Sequence, residues 1–320
     1  MLNTTARPDV NLRAAKELER KRLKSRLKRN ASLYLLVAPV IIWFIVFSYI
    51  PMTGIVMAFK DYAPARGIFG SPFVGLKHFE MFFGSYYFGR LLRNTLTLSI
   101  SYMVTSFPAA ILFALLINEI GNLTFKKTVQ TITYMPHFIS MVVLCGMVRE
   151  FIAPNGIVND LIAAFGGERA DLLSVPSAFP PIYVLSGLWQ QMGWNSIIYL
   201  AALQGVDQEL YESAYLDGAG KLRQTISITI PCIMPTIVIM FILGLGGIMN
   251  VGYEKIILLY NPTIYETADI ISSFVYRKGL FDMQYSFSTA VGLFNSLTTC
   301  VLVITANTIT RKLDSSMGLW

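Results

Sequence analysis

Charged residues are scarce in this sequence. Only 14% of its 320 residues are Asp, Glu, Lys or Arg, whereas a soluble domain usually has about 25%. The shortage is concentrated in six charge-free stretches, each at least as long as the roughly 20 residues that a helix needs to cross the hydrocarbon core. Helices on the surface of a soluble protein need a polar face, so these stretches argue against a soluble chain. They are residues 30–59, 94–118, 128–148, 172–206, 224–253 and 283–310.

The sequence also has few of the side chains that carry enzyme chemistry. Its two histidines, His78 and His137, are far apart, and its three cysteines occur singly within apolar stretches. This supply is too sparse for a metal site or a disulfide framework, and it weakens the case for a membrane-embedded enzyme. We therefore predict no catalytic residue and no metal ligand.

The apolar stretches are predicted to be helices. A backbone inside lipid must satisfy its own hydrogen bonds, which leaves only helices and closed barrels. Barrel strands alternate apolar and polar residues over about 10 positions, and the runs 33–47 and 235–245 do not alternate. The sequence thus predicts an all-α integral membrane protein with six transmembrane helices. The predicted spans are 32–58, 91–118, 128–151, 180–204, 229–251 and 285–310.

Positive charge is gathered at one end of the chain. Residues 1–31 contain ten Lys and Arg against three acidic residues. If this arm is cytoplasmic, the pieces predicted on the inner face carry the whole net charge of +7, as the positive-inside rule requires. We therefore predict a basic cytoplasmic arm (1–31), a transmembrane domain (32–320) and both termini in the cytoplasm. A tether for nucleic acid or anionic lipid is the alternative for the arm.

The most informative segment lies between the fourth and fifth spans. Asp207 is a suitable N-cap for a short helix, and Gly218 and Gly220 permit the chain to turn out of it. A helix, turn and helix here, within a cytoplasmic loop at 205–228, would expose side chains to a soluble partner. An ordinary interfacial loop is the alternative, and composition alone does not decide between them.

This segment resembles the inner-loop motif of binding-protein-dependent ABC permeases. That motif reads Glu-Ala-Ala, then Asp-Gly-Ala, then a large aromatic residue and a proline. The sequence has Pro231 and Pro235 at suitable distances. Two positions depart from it, because Ser213 replaces an alanine and Thr225 replaces the aromatic residue. The matching positions, which the resemblance implies contact an ATPase, are Glu212, Ser213, Ala214, Asp217, Gly218 and Ala219.

Further segments are similar to the LplB-type polysaccharide permeases, in the carbohydrate-uptake branch of ABC importers. They include YMPHFIS (134–140) and GGIMNVGYEKIILLYNP (246–262). The resemblance covers nearly all of residues 32–320. It implies a MetI-like permease fold in the bacterial inner membrane and import of a sugar, most readily an oligosaccharide. It also implies a second permease, two ATPase subunits that hold ATP and Mg, and an extracytoplasmic solute-binding protein.

The chain itself has no phosphate-binding loop. Its one Gly-Lys pair, Gly220–Lys221, lacks the Gly and the Ser or Thr that such a loop requires. We therefore predict no cofactor on this chain, with ATP hydrolysis on a separate subunit, and no nucleic-acid partner. The rival functions are an ABC permease for peptides or other small solutes and an ion-coupled secondary carrier. The charge-free stretches offer no carboxylate for ion coupling, which disfavours the carrier.

A sugar pathway needs aromatic faces and amide groups at membrane depth, where polar groups facing lipid are costly. The fourth, fifth and sixth predicted spans supply such residues. Interhelical hydrogen bonding or interfacial anchoring is the alternative role for each of them. The predicted path residues are Trp189, Gln190, Asn195, Asn250 and Asn295.

Overall fold

The structure, a computed structural model, describes residues 29–313 together with residues 25 and 318. Most of the predicted basic arm therefore lies outside the described residues. The chain divides into two units, Met1–Val56 and Met57–Trp320. In the first unit, α1 (Ala31–Phe44) is followed by a π-helical turn (Ile45–Tyr49) and one further turn (Ile50–Met52).

Helices make up the regular structure of the described residues, where an isolated bridge pairs Lys60 with Phe73. Helices of six or more residues after α1 are α2 Lys77–Phe83, α3 Tyr87–Asn118, α4 Leu123–Tyr134, α5 Met141–Ile152, α6 Ile157–Ala164, α7 Phe179–Leu203, α8 Gln208–Leu216, α9 Ile230–Gly246, α10 Tyr253–Leu259, α11 Ile271–Tyr276 and α12 Tyr285–Leu313. Shorter α-helical turns are Gly67–Gly70, Lys221–Gln224 and Tyr265–Ala268, and π-helical turns are Thr225–Thr229 and Arg277–Phe281. The 3-10 turns are Thr53–Phe59, Pro64–Arg66, Met135–Phe138, Leu172–Ser174, Pro176–Ala178 and Pro262–Ile264.

Each predicted span overlaps helical structure, although not all of the helices have the predicted bounds. By length and composition, five helical stretches within the described residues can cross a membrane. The predicted fourth span corresponds to α7, which has 25 residues. This helix is long enough to cross, but its glutamines, asparagine and tryptophans make it less apolar than the others. The five stretches are Ala31–Phe59, Tyr87–Asn118, Met141–Ala164, Lys221–Gly246 and Tyr285–Lys312.

The predicted third span, 128–151, is not one helix. α4 ends at Tyr134, a 3-10 turn holds Pro136, and α5 starts only at Met141, capped by the Ser140 hydroxyl. Proline has no N–H to donate and disfavours helical backbone in the residue before it. The apolar helical stretch in this region is therefore shifted to Met141–Ala164.

The second unit is built around the packing of α3 along α7. Two glycines of α7 allow its neighbours to come close. A Cβ on Gly193 would lie 2.2 Å from the Thr133 carbonyl oxygen of α4, and one on Gly187 would lie 2.7 Å from the Tyr102 ring of α3. Small residues at helix contacts are how membrane helices pack closely. Buried apolar clusters lie at both ends of this pair, around Phe179 and around Leu203.

Candidate functional site

A cavity of about 430 Å³ opens among α3, α7, α9 and the segment that follows α9. Of the described residues that line it, none carries a charge. Its wall combines aromatic rings with hydroxyl and amide groups, which is the usual composition of a site that binds a small polar ligand. The polar lining residues are Ser99, Tyr102, Ser106, Tyr183, Asn195, Tyr199 and Asn250.

Three of the predicted path residues belong to this region. Asn195 of α7 and Asn250 line the cavity. Asn295 of α12 is buried and donates from Nδ2 to Oδ1 of Asn250 at 3.0 Å. The remaining amide oxygen of Asn295 is buried without a hydrogen-bond partner among the described residues. Buried polar atoms are nearly always paired, so this acceptor is unusual.

The other two predicted path residues lie elsewhere. Gln190 is buried and donates to the backbone carbonyl of Ile139 at 3.3 Å. This hydrogen bond ties α7 to the connection between α4 and α5. Trp189 is half exposed and is not among the residues that line the cavity. One helix face cannot hold every polar residue of α7, because neighbouring residues point about 100° apart.

The sequence interpretation missed the contribution of α3. Ser99, Tyr102, Met103 and Ser106 all line the cavity, and their spacing puts them on one face of a helix. Polar residues at this spacing inside an apolar stretch are a signal that the sequence does contain. Tyr183 and Tyr199 of α7 were also missed, and they face the same cavity.

The predicted coupling residues lie on a short exposed helix, α8, and in the turn that follows it. Asp207 caps α8, where its carboxylate accepts the backbone N–H of Glu209 at 3.0 Å. Glu212, Ser213, Asp217 and Gly218 are exposed, and Ala214 and Ala219 are partly so. Two apolar side chains beside them are also open, with Tyr215 76% and Leu216 85% exposed.

Gly218 makes the turn that ends α8. Its φ is +76°, a left-handed conformation that favours glycine. The N–H of Gly218 donates to the Tyr215 carbonyl at 3.0 Å, and that of Ala219 donates to the Ala214 carbonyl at 2.9 Å. These bonds satisfy carbonyls at the end of the helix, as in other glycine-terminated helices.

The segment after this turn is joined to the membrane helices. Nε2 of Gln224 donates to the Ala219 carbonyl at 2.9 Å, and Lys221 forms an ion pair with Glu119 at the end of α3. From Lys221 the chain is helical through to Gly246. Thr225, where the family has an aromatic residue, begins the π-helical turn in this stretch.

No group of three or more His, Cys, Asp or Glu side chains in the described part of the chain could hold a metal ion.

The fold and this loop geometry define a class of membrane transport protein. Residues 81–318 match the family described as binding-protein-dependent transport system inner membrane component. The chain belongs to that family and is an importer permease.

Two curated relatives from Bacillus subtilis (strain 168) are similar over nearly the whole chain. The polygalacturonan/rhamnogalacturonan transport system permease protein YteP is 44% identical over 306 residues, 95% of each chain. Protein LplB is 42% identical, over 90% of this chain and 91% of its own. A bacterial ABC transporter involved in the import of the acidic polysaccharide alginate contains a chain with 44% identity and a TM-score of 0.85, covering 92% of this chain and 99% of that one.

These similarities confirm the predicted all-helical MetI-like permease fold and the resemblance to sugar-importing ABC permeases. They favour that function over a peptide permease and over an ion-coupled carrier. A second structure of the alginate transporter is a complex with an alginate pentasaccharide-bound periplasmic protein.

Proposed function

We propose that this chain is one of two permease subunits of an ATP-driven importer that moves an oligosaccharide into the cytoplasm. The observation that carries the proposal is that two features meet opposite ends of one helical stretch, Lys221–Gly246. The exposed coupling residues directly precede its start, and residues near its other end, Met240, Leu243 and Gly244, line the cavity. A movement at the first feature is thus connected directly to the second.

The energy comes from separate ATPase subunits in this proposal. Exposed Glu212 lies on α8 beside the exposed apolar side chains of Tyr215 and Leu216. This mixture of one charge and an apolar patch suits a protein interface, where a charged pair fixes register and apolar burial provides affinity. ATP and Mg then belong to the ATPase, and the charge pattern of the chain supports an orientation with both termini on the same side as this interface.

The cavity provides the path for the sugar. Hydroxyl and amide groups of Tyr102, Asn195 and Asn250 can bond to sugar hydroxyls, while tyrosine rings offer flat apolar faces. The named substrates of the relatives, polygalacturonan and alginate, make oligosaccharides of this kind the first to test.

Replacement of Glu212 by Ala tests the coupling. A charged side chain lost from a partly desolvated interface costs about 2 kcal/mol or more, so ATP-driven uptake should fall more than tenfold in membrane vesicles that contain the assembled importer. The amount of permease in the membrane should not change, since Glu212 is exposed and no described contact depends on it.

Glu168→Ala is the matched control, because Glu168 is equally exposed but lies in the loop between α6 and α7. It should leave uptake unchanged. Normal uptake by Glu212→Ala, or an equal loss in both variants, would contradict the coupling role. Labelling that places residue 212 on the outside of the cell would contradict the proposal as a whole.

A further inference from the structure

One lysine is brought to the wall of the cavity by the segment that follows α9. Lys255 lies in α10 and is only 4% exposed. Its ammonium group donates to the backbone carbonyl of Tyr183 at 2.8 Å and lies 4.7 Å from the centroid of the Tyr183 ring. Hydropathy does not associate this residue with the spans, because it lies between the predicted fifth and sixth spans, 229–251 and 285–310.

The ammonium group lies directly behind two tyrosines that line the cavity. A Cβ on Gly187 of α7 would be 3.3 Å from Nζ of Lys255 and 2.7 Å from the Tyr102 ring. The ammonium group and that ring therefore both pack against Gly187. Tyr102 and Tyr183 both line the cavity, as does Gly252 just before α10. The positive charge is therefore separated from the cavity by little more than an aromatic side chain.

This cation has no neutralising partner among the described residues. No carboxylate there lies within 4.0 Å of its ammonium group. The one acid on its own helix, Glu254, is exposed to solvent. The titratable and charged groups packed around Lys255 are Tyr102 of α3, Cys145 and Arg149 of α5, Tyr183 of α7 and Glu254 of α10.

Packing alone does not require a charge at this position. Burial of an unpaired cation is costly, and a neutral side chain of similar length would fill the same space without that penalty. The Tyr183 carbonyl would accept a hydrogen bond from a neutral amide equally well. What only a cation provides is a positive potential, and an uncharged, largely apolar wall screens that potential weakly.

We propose that Lys255 is a specificity-determining residue whose positive charge favours anionic sugars, such as those that carry uronate carboxylates, in the cavity. This inference rests on the proposed function, since it requires that a sugar occupies the cavity. It names the chemical class of that sugar, which the uncharged cavity lining by itself leaves open.

The same geometry makes the charge sensitive to pH. Burial lowers the pKa of Lys255 to about 8. The ammonium form therefore dominates at pH 7 and is lost as the pH rises through 8. Arginine at this position would stay charged throughout, because a guanidinium group is effectively always protonated in proteins.

The test compares Lys255→Met with Lys255→Arg in the complete importer, reconstituted in vesicles with its solute-binding protein and supplied with an oligogalacturonate. At pH 7 we expect the Met variant to have a KM for uptake at least about tenfold higher than that of the Arg variant. Wild-type uptake, expressed relative to the Arg variant, should fall between pH 7 and 9. The solute-binding protein is the same in every sample, so its own pH dependence cancels in this ratio.

Further measurements assign the pH dependence to Lys255 and separate a role in selectivity from a structural role. Cys145→Ala should leave the pH profile of uptake in place, which assigns the titration to Lys255. If Lys255→Met fails to fold, as its thermal unfolding midpoint would reveal, the wild-type profile relative to Lys255→Arg still tests the inference. A purely structural role predicts instead that the Met variant loses kcat and stability with no change in KM.

The outcomes are distinct. Equal KM values for the Met and Arg variants, or a wild-type ratio that is flat with pH, would overturn the inference but not the proposed function. Uptake of neutral oligosaccharides without any uptake of acidic ones would also overturn it. A wild-type importer that moves no sugar of either kind would instead refute the proposed function.

Discussion

The two segments that flank α9 differ in whether their acidic side chains are exposed or buried. In the coupling segment, 205–228, the acidic side chains are exposed, and its one ion pair among the described residues joins Lys221, 79% exposed, to Glu119. In the segment 252–284, Asp269 is completely buried, where Arg277 binds both its carboxylate oxygens at 2.9 and 2.7 Å.

A third side chain, Arg90 of α3, approaches the same carboxylate at 3.6 Å. Tyr260 and Tyr265 face the Arg277 guanidinium, which adds cation–π contacts to the ion pair. Burial opposes the charge of Arg277, but its hydrogen bonds to Asp269 and Tyr260 prevail and raise its pKa. The coupling segment thus keeps its acidic side chains at the surface, whereas the segment 252–284 uses a buried ion pair to stabilise its own fold.

The largest expected difference between the segments is in stability. Asp269→Asn leaves two arginines without their shared carboxylate, and removal of one partner from a buried ion pair costs about 3–5 kcal/mol. We expect a clear fall in the thermal unfolding midpoint of the purified protein. An Asp269→Asn variant that unfolded at the same temperature as the wild-type chain would contradict a stabilising role for this buried ion pair.

The control for this change lies in the same segment. Asp282 forms an ion pair with Lys278 at 2.6 Å, but both side chains are partly exposed. Pairs of this kind contribute about 1 kcal/mol or less. Asp282→Asn should therefore shift the midpoint far less than Asp269→Asn.

A smaller effect is expected at the turn of the coupling segment. Gly218 has a φ of +76° and open space where a Cβ would be, so Gly218→Ala introduces backbone strain of roughly 1–2 kcal/mol without a clash. Association with the ATPase, titrated in nanodiscs, should weaken by up to about tenfold. Gly220→Ala is the control, because Gly220 has equally open space but a φ of −69°. Equal effects of the two alanines would show that the left-handed turn is not needed.

The smallest effect is expected at the exposed ion pair of the coupling segment. Lys221 Nζ lies 3.1 Å from Glu119 Oε2, with both side chains more than half exposed. Glu119→Gln should lower stability by less than about 1 kcal/mol, because solvent screens such pairs. The remaining effect should disappear in high salt, as measured by thermal unfolding at two salt concentrations. A large shift that persisted in salt would mean that this pair is shielded by a partner.

The helix and turn of the coupling segment could be predicted because they depend on interactions between residues close together in the sequence. Asp207 and Gly218 act on backbone atoms within a few residues of themselves, so their cap and turn could be anticipated from spacing alone. The spans were predictable for a similar reason, since lipid imposes a length and an absence of charge on each. The third span failed where Pro136 overrode its composition.

The cavity could be predicted only in part, because it depends on which helix faces meet. Asn195 and Asn250 line the same cavity, whereas Gln190 donates to the backbone carbonyl of Ile139 and is not among the lining residues. The position of Lys255 depends on how a loop folds back against α7, across 72 residues of sequence from Tyr183. Hydropathy and spacing contain no information about such a contact.

The continuous helical stretch Lys221–Gly246, which includes the π-helical turn Thr225–Thr229, has a mechanical consequence. Its 26 residues form a rod of about 39 Å at 1.5 Å per residue. A rod of that length converts a tilt of about 10° into a displacement of roughly 7 Å at its far end. The glycines near that end, Gly244 and Gly247, are part of the cavity wall. In the proposed importer, an ATPase subunit that tilted this stretch would therefore move that wall by several ångströms, because no loop lies between the two ends.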